Sequence, residues 1–338
     1  MARVAIVVLN WNGADDAIAC IDSLLKQSTL QPDIFLVDNN SEQKSIDRLE
    51  GYIKANPNYP LTLIKNTVNS GYTGGNNLGF TVALKDSYDF IGTLNPDATA
   101  DTDWVERIVE ELQANPSAGV ATGILAREDG THIDTTGEQY STWGIPGPRG
   151  RDSSLEEVPS ESEYIFASTG GGFIARAELL RDIGLFDEKF FMYFEDVDFC
   201  FRAQLAGYKV RYTPKAIAYH KLSTSTNKVP GLAVYNTFKN LPMLYVKNMP
   251  LGLWFKTYPR FTLAYTLILG NAIAHGRGIP ALKGWFKSWL LIPHMFRERS
   301  RIQRSRRVST EYINSIMLHD IPPEQTGLRK FRKIFTGK

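Results

Sequence analysis

The chain has 338 residues, 43% of them hydrophobic, and a formal net charge of +2. That length buries a large core and suits two domains. Two cysteines far apart, Cys20 and Cys200, exclude a disulfide scaffold or a cysteine metal site and read as reduced core thiols of a cytosolic protein.

The net charge hides an asymmetry. From Asn227 onward there are nineteen Lys and Arg against four acids, whereas the part up to Thr226 carries a charge of −13. An acidic body with a basic tail points to a tail that meets a polyanion. We therefore divide the chain into residues 1–226 and a basic, aromatic region, 227–338.

Val4 to Leu9 reads as a first, buried strand rather than a signal peptide, and ends on Asn10. A helical stripe follows at Ala17, Ile18, Ile21, Leu24 and Leu25. Ile34 to Val37 is a second strand ending on Asp38, and Leu61 to Ile64 a third. A glycine-rich loop, Asn69 to Asn77, leads to a short helix around Leu78 to Leu84. Phe90 to Leu94 is a strand ending on Asn95-Pro96-Asp97, and Gly119 to Leu125 is another after a helix. Strands alternating with helices imply an α/β fold, a mainly parallel sheet with helices on both faces. Ligands in such sheets bind beyond the carboxyl ends of the strands.

From Thr131 to Glu163 the pattern fails, and the stretch reads as a mobile surface excursion. The run DEKFFMYFEDVDFCFRAQLAG, Asp187 to Gly207, then places Glu195, Asp196 and Asp198 at a helix N-terminus behind an aromatic run. Backbone N–H groups there favour a carboxylate, and acids among apolar neighbours suit a general base; an N-cap role is the plainer alternative. Val210 to Tyr212 and Ile217 to Tyr219 read as two short strands, the second ending on His220. Beyond Thr226, apolar and aromatic residues alternate with prolines and bases up to an Arg-rich run, Arg297 to Arg307, suiting helices in a membrane interface. No stretch is long enough to span a membrane.

Single motifs leave alternatives open. Gly71, Gly74 and Gly75 allow a backbone to approach a ligand, with Asn76 and Asn77 as donors and acceptors, or they form a tight turn. The loop matches neither common dinucleotide nor P-loop pattern. Asp97 could hold a hard cation bridging phosphates, or cap a helix. Asp38 could bind a base or ribose, or cap its own turn. Gly170, Gly171 and Gly172 weaken a strand unless something must approach closely.

The order of these pieces carries more than any one. A strand followed by Asn-Trp-Asn, then VDNNS, NSGYTGGNN, LNPDA, TGGGF, FEDVDFCFR and a later His together resemble the inverting nucleotide-sugar glycosyltransferases of family 2, with their GT-A fold. The TGGNN, LNPDA and EDVDFCFR segments are similar to the rhamnosyltransferase-like branch. The resemblance covers Val4 to about Ser223. It implies that Asp38 recognises the pyrimidine of a dTDP- or UDP-sugar, with Asn10, Gly71, Gly74, Gly75, Asn76, Asn77 and Asn95 lining the donor. Asp97 and His220 would bind Mg2+ or Mn2+; the first position of the family's acidic motif is here Asn95. Asp196 would be the general base and Glu195 its neighbour facing the acceptor, with Gly171 and Gly172 under the acceptor sugar.

These readings combine into an inverting sugar transferase, rhamnose from dTDP-rhamnose its first-choice donor, acting on a lipid-linked glycan in cell-surface polysaccharide synthesis. The tail would hold it to an anionic membrane at the inner face of the plasma membrane, with a homodimer left open. A sugar-nucleotidyltransferase lacks its early basic glycine-rich loop here. Nucleic-acid binding through Arg297 to Arg307 is disfavoured by the acidic body and the neighbouring aromatics.

Overall fold

A computed structural model describes residues 2–221, 229–323, 325, 327 and 329. The expected boundary at Thr226 lies outside them. The first half alternates as anticipated: β1 (Val4–Asn10), α1 (Ala14–Leu25), β2 (Asp33–Asp38), α2 (Gln43–Ala55), β3 (Leu61–Lys65), α3 (Gly71–Ala83), β4 (Phe90–Leu94), β5 (Ala98–Ala100), α4 (Trp104–Ala114) and β6 (Ala118–Arg127). Then come β7 (Ile133–Thr135), β8 (Glu138–Tyr140), β9 (Pro146–Pro148), β10 (Glu163–Ile165), β11 (Gly172–Arg176), α5 (Ala177–Ile183), α6 (Glu195–Leu205) and β12 (Lys209–His220). The tail adds α7 (Leu232–Asn248), α8 (Leu251–Ala274), α9 (Gly278–Leu290), α10 (Ile292–Arg304) and α11 (Thr310–Ile316).

The main sheet runs β10-β12-β6-β11-β4-β1-β2-β3. Its parallel part, β3-β2-β1-β4 and the β6-β12 pair, is the one the alternation implied. Between these, β11 lies antiparallel to both β4 and β6, so the sheet is mixed. Alternate residues of β1 serve opposite faces. Val7 and Leu9 join a core with Phe80 of α3 and Phe199 of α6. Val4, Ile6 and Val8 join another with Ile18 and Ile21 of α1, Leu49 of α2 and Trp104 of α4. Each such fully buried side chain contributes roughly 1.5–3 kcal/mol.

Two expectations change. The two strands before His220 are one strand, β12, with a register shift between Tyr212 and Ile217. Residues 131–163 are not a loose excursion: β7 pairs with β6, β8 with β9 and β10 with β12, because their apolar residues, Ile133, Tyr140 and Ile165, are buried in the main core. In the tail, Phe238, Leu241, Leu244 and Tyr245 of α7 belong to the same core as Phe199 and Phe201 of α6.

Candidate active site

The carboxyl ends of β1, β2, β4 and β12 carry Asn10, Asp38, Asn95 with Asp97, and His220 on one edge of the sheet. Asn10 and Asp38 are buried and bonded to each other, Nδ2 to Oδ1 at 2.8 Å. The other Asp38 oxygen accepts from the Ser41 N–H at 3.1 Å. Asp38 thus caps its own turn as well as facing the edge.

The glycine-rich segment differs from its expected form. It is no loop: Gly71 opens α3, so its residues lie on the first turns of the helix. A Cβ at Gly75 would overlap Leu9 of β1, one at Gly74 would meet Ser70, and one at Gly71 would strike Phe191, so each of these glycines admits a protein neighbour. Gly71 also takes a φ of +73°, where side chains are strained. Asn76 and Asn77 turn inward as well. Asn76 bonds the Tyr72 carbonyl and the Thr93 hydroxyl, and Asn77 bonds both the N–H and carbonyl of Phe186. They fasten α3 to β4 and to the segment at Phe186.

Asp97 and His220 do come together. His220 Nε2 lies 3.1 Å from Asp97 Oδ1 and 3.4 Å from Asn95 Nδ2, while Nδ1 lies 3.0 Å from Asp134 Oδ2. Arg151 holds the other Asp134 oxygen at 2.8 Å. Burial alone would push the His220 imidazolium down, but its bonds to Asp134 and Asp97 outweigh that and raise it to about 9. Beside the pair, Asn95 Oδ1 is buried without a hydrogen-bond partner. These residues fit a hard divalent ion. Among the described residues no three His, Cys, Asp or Glu converge. An ion held by one or two side chains completes its shell with water and substrate phosphates.

On the other side stands α6. Apolar spacing at Val197, Cys200, Phe201 and Leu205 buries its inner face. Asp196 does not cap the helix. Its Oδ2 reaches across to the Gly170 N–H at 2.7 Å and its Oδ1 accepts from Val197 N at 2.8 Å. The next residue, Gly171, accepts the Asn95 N–H at 2.9 Å. Residues 170–172 therefore join Asp196 to the His220 neighbourhood. Gly171 and Gly172 themselves are buried, packed on Leu125 and on Leu94 with Trp104, and the glycine whose N–H meets Asp196 is Gly170. Burial raises both carboxyls: Glu195 well above the usual range, with the Asp196 charge adding to it, and Asp196 less, because backbone N–H groups favour its charged form. Glu195 Oε2 is buried without a hydrogen-bond partner.

The segment before α6 is strained. Phe191, Tyr193 and Phe194 have φ of 64°, 70° and 69°. At Phe191 the chain makes a γ-turn, with Met192 N donating to the Phe190 carbonyl at 2.7 Å. Such conformations cost about 1–3 kcal/mol per residue and persist where neighbours enforce them. Here α7 does so. Asn240 Nδ2 donates to the carbonyls of Phe190, Met192 and Tyr193, and Lys239 Nζ to that of Phe190. Burial pushes the Lys239 ammonium down to about 8 against the pull of Glu195.

Asp198, the third acid, is structural. It is fully buried between Arg202, Lys247 and Asn248. Lys247 also pairs with Asp187 at 2.5 Å, which His294 of α10 holds from the other side at 2.8 Å.

Helices α8–α10 expose a row of apolar side chains, among them Phe255, Phe286, Trp289, Leu290 and Phe296, next to exposed Lys256, Lys283, Lys287 and Arg297. Among the described residues no helix is long and apolar enough to cross a membrane.

With this geometry in place, the likenesses to known proteins can be read. The family model described as glycosyl transferase family 2 matches residues 5–184. The chain belongs to glycosyl transferase family 2. It is 22% identical over 244 residues to the low-salt glycan biosynthesis hexosyltransferase Agl10 of Haloferax volcanii, covering 70% of this chain and 73% of that protein. It is 26% identical over 195 residues to the N-acetylglucosaminyl-diphospho-decaprenol L-rhamnosyltransferase of Mycobacterium tuberculosis, covering 54% of this chain and 62% of that protein. Among solved structures, GalNAc-T7 with UDP, GalNAc and Mn2+ superposes with a TM-score of 0.62 at 15% identity, over 89% of this chain and 58% of that one. S. aureus TarS 1-349 does so with a TM-score of 0.55 at 14% identity, over 93% and 91%. The fold of this family 2 glycosyltransferase is thus the GT-A fold that its motifs implied.

The sequence reading did not pick out Asp134, Gly170 as the partner of Asp196, or Lys239 and Asn240. A signal existed for the last two: a Lys-Asn pair inside the apolar stripe of Phe238, Leu241 and Leu244. Asp134 gave none, being one acid in a patternless stretch.

Proposed function

We propose that this glycosyltransferase inverts the sugar it moves, taking it from a nucleoside diphosphate to a hydroxyl of a lipid-linked glycan, with Asp196 as general base. The observation that carries this is the glycine segment 170–172, bonded to Asp196 at one end and to Asn95, beside Asp97 and His220, at the other. An activated sugar over that segment would have its leaving diphosphate towards Asp97 and His220 and its open face towards Asp196. The sugar carbon becomes cation-like in transfer, as in glycoside hydrolysis. The acceptor oxygen bonds to that carbon, the bond to the diphosphate breaks, and the hydroxyl proton passes to Asp196. A raised carboxyl pKa improves the match of this base to its task, and the Gly170 N–H fixes its orientation. Asp97, His220 and the Asn95 amide oxygen would hold Mg2+ or Mn2+; bound there, the ion neutralises charge gathering on the leaving group. Asp38, capping its turn on the same edge, faces the base of the donor.

The rhamnosyltransferase relative and the TGGNN, LNPDA and EDVDFCFR segments favour dTDP-rhamnose as donor; another UDP- or GDP-sugar is the alternative, and a mannosyltransferase neighbour was solved with GDP-Man and Mn2+. The exposed aromatics of α8–α10 among Lys and Arg suit an anionic lipid surface, where a lipid-linked acceptor would be met.

Assays across dTDP-rhamnose, UDP- and GDP-sugars, with and without Mn2+, should show transfer or hydrolysis of one donor class. The Asp196→Asn variant should bind that donor normally and lose transfer by about 100-fold or more. Full activity of the variant would remove the base assignment, and pyrophosphate release from a nucleoside triphosphate would replace transfer by nucleotidyl chemistry.

A further inference from the structure

We infer that Lys239 and Asn240 of α7, outside residues 5–184 that match the family, are positioning residues of the transfer reaction: they hold the Phe190–Phe194 turn and the charge of the Glu195–Asp196 pair in their working state. This rests on the assignment of Asp196 as base.

The turn enters α6 directly, so its shape decides where Glu195 and Asp196 point. Left to itself it would relax, since Phe191, Tyr193 and Phe194 all have positive φ. Donors from two elements prevent that. The Thr73 N–H at the start of α3 meets the Phe191 carbonyl at 3.1 Å, and Asn240 reaches three carbonyls at 2.8 to 3.0 Å. The Phe190 carbonyl alone accepts from Met192 N, Lys239 Nζ and Asn240 Nδ2. Substituting Asn240 removes its contacts to the Phe190, Met192 and Tyr193 carbonyls and leaves the strained turn to Lys239 and Thr73.

Lys239 adds charge. Glu195 is buried, and the charges of Asp196 and Asp198 on its own helix oppose its ionisation while that of Lys239 on α7 favours it. Lys239 in turn feels the charges of Lys287 of α9 and of Asp187. Its ammonium favours the ionised form of the carboxyl pair; without it, the pair holds a proton to higher pH. Asp38, Asp97 and His220 lie on other elements, at the ends of β2, β4 and β12.

The test compares Lys239→Met, Lys239→Arg and Asn240→Ala with the wild-type chain and with Asp196→Asn, on the full-length protein. Thermal unfolding and affinity for the bare nucleoside diphosphate with Mn2+ are measured beside kcat, KM and the pH profile. We expect Lys239→Met and Asn240→Ala to keep nucleotide affinity and donor KM but to lose about 100-fold in kcat, the size of loss that a misplaced group produces. The acid limb of Lys239→Met should move to higher pH, and Lys239→Arg should restore both rate and profile. Unchanged kcat and profile in Lys239→Met overturn the inference. So does a parallel loss of nucleotide affinity that Arg fails to rescue, the mark of a merely structural role. If Asn240→Ala does not fold, the two Lys239 variants decide alone. An active Asp196→Asn removes the base assignment instead, so the two failures are distinguishable.

Discussion

Nδ1 of His220 lies 3.0 Å from Asp134, and this bond fixes which ring nitrogen faces Asp97. A carboxylate behind a metal-binding histidine orients the ring and raises its basicity. Replacing Asp134 by Ala should weaken Mn2+ binding about 10–100-fold while the sheet stays folded. Titration of Mn2+ with a nucleoside diphosphate present, followed by electron paramagnetic resonance, measures this directly. An unchanged affinity would separate Asp134 from the ion site.

Burial raises the carboxyls of Glu195 and Asp196, so the proton that must leave before transfer is held to higher pH than usual. A general base, the role proposed for Asp196, works ionised. The kcat/KM of the wild-type chain should therefore fall, as pH drops, through an apparent pKa above the ordinary carboxylate value of about 4. That value belongs to the pair and not to either acid alone. An acid limb at or below about 4 contradicts this picture.

Burial alone would raise the Asp187 carboxyl, but Lys247 and His294 outweigh it and hold the group well below the carboxylate range. A depressed folded-state pKa stabilises above the unfolded value, about 3.9, and the contribution fades as pH falls towards the folded one. Melting curves of wild type and Asp187→Asn should differ most near neutral pH and converge in acid. Lys247→Met, which leaves Asp187 and Asp198 without their shared cation, should cost about 3–5 kcal/mol in denaturant unfolding. A loss under about 1 kcal/mol would place the pairing in the range of surface ion pairs.

Gly75→Ala puts a methyl group into Leu9 at the seam between α3 and β1. Crowding of this kind costs about 1–3 kcal/mol. Donor affinity per folded molecule should stay the same; loss of affinity at unchanged stability would return Gly75 to the donor site.

Strand alternation and the carboxyl-edge residues were legible because they depend on local period and on the rule that sites form past strand ends. Asp97 and His220 meet for that reason, although 123 residues separate them. The protein neighbours of the α3 glycines, Leu9 and Phe191, were not legible because they are distant in sequence. A close approach can be inferred from glycine, but not its partner. Asp134 was hidden because the short strands around it take their order from β6 and β12 and not from any period of their own.

The shared core of α6 and α7 has a consequence for anyone who shortens this protein. A fragment stopping where the acidic part of the sequence ends would strip the buried Asp198 of Lys247 and Asn248. The part of the chain that carries Asp196 therefore borrows from α7 the partners of a buried acid three residues from its own helix start.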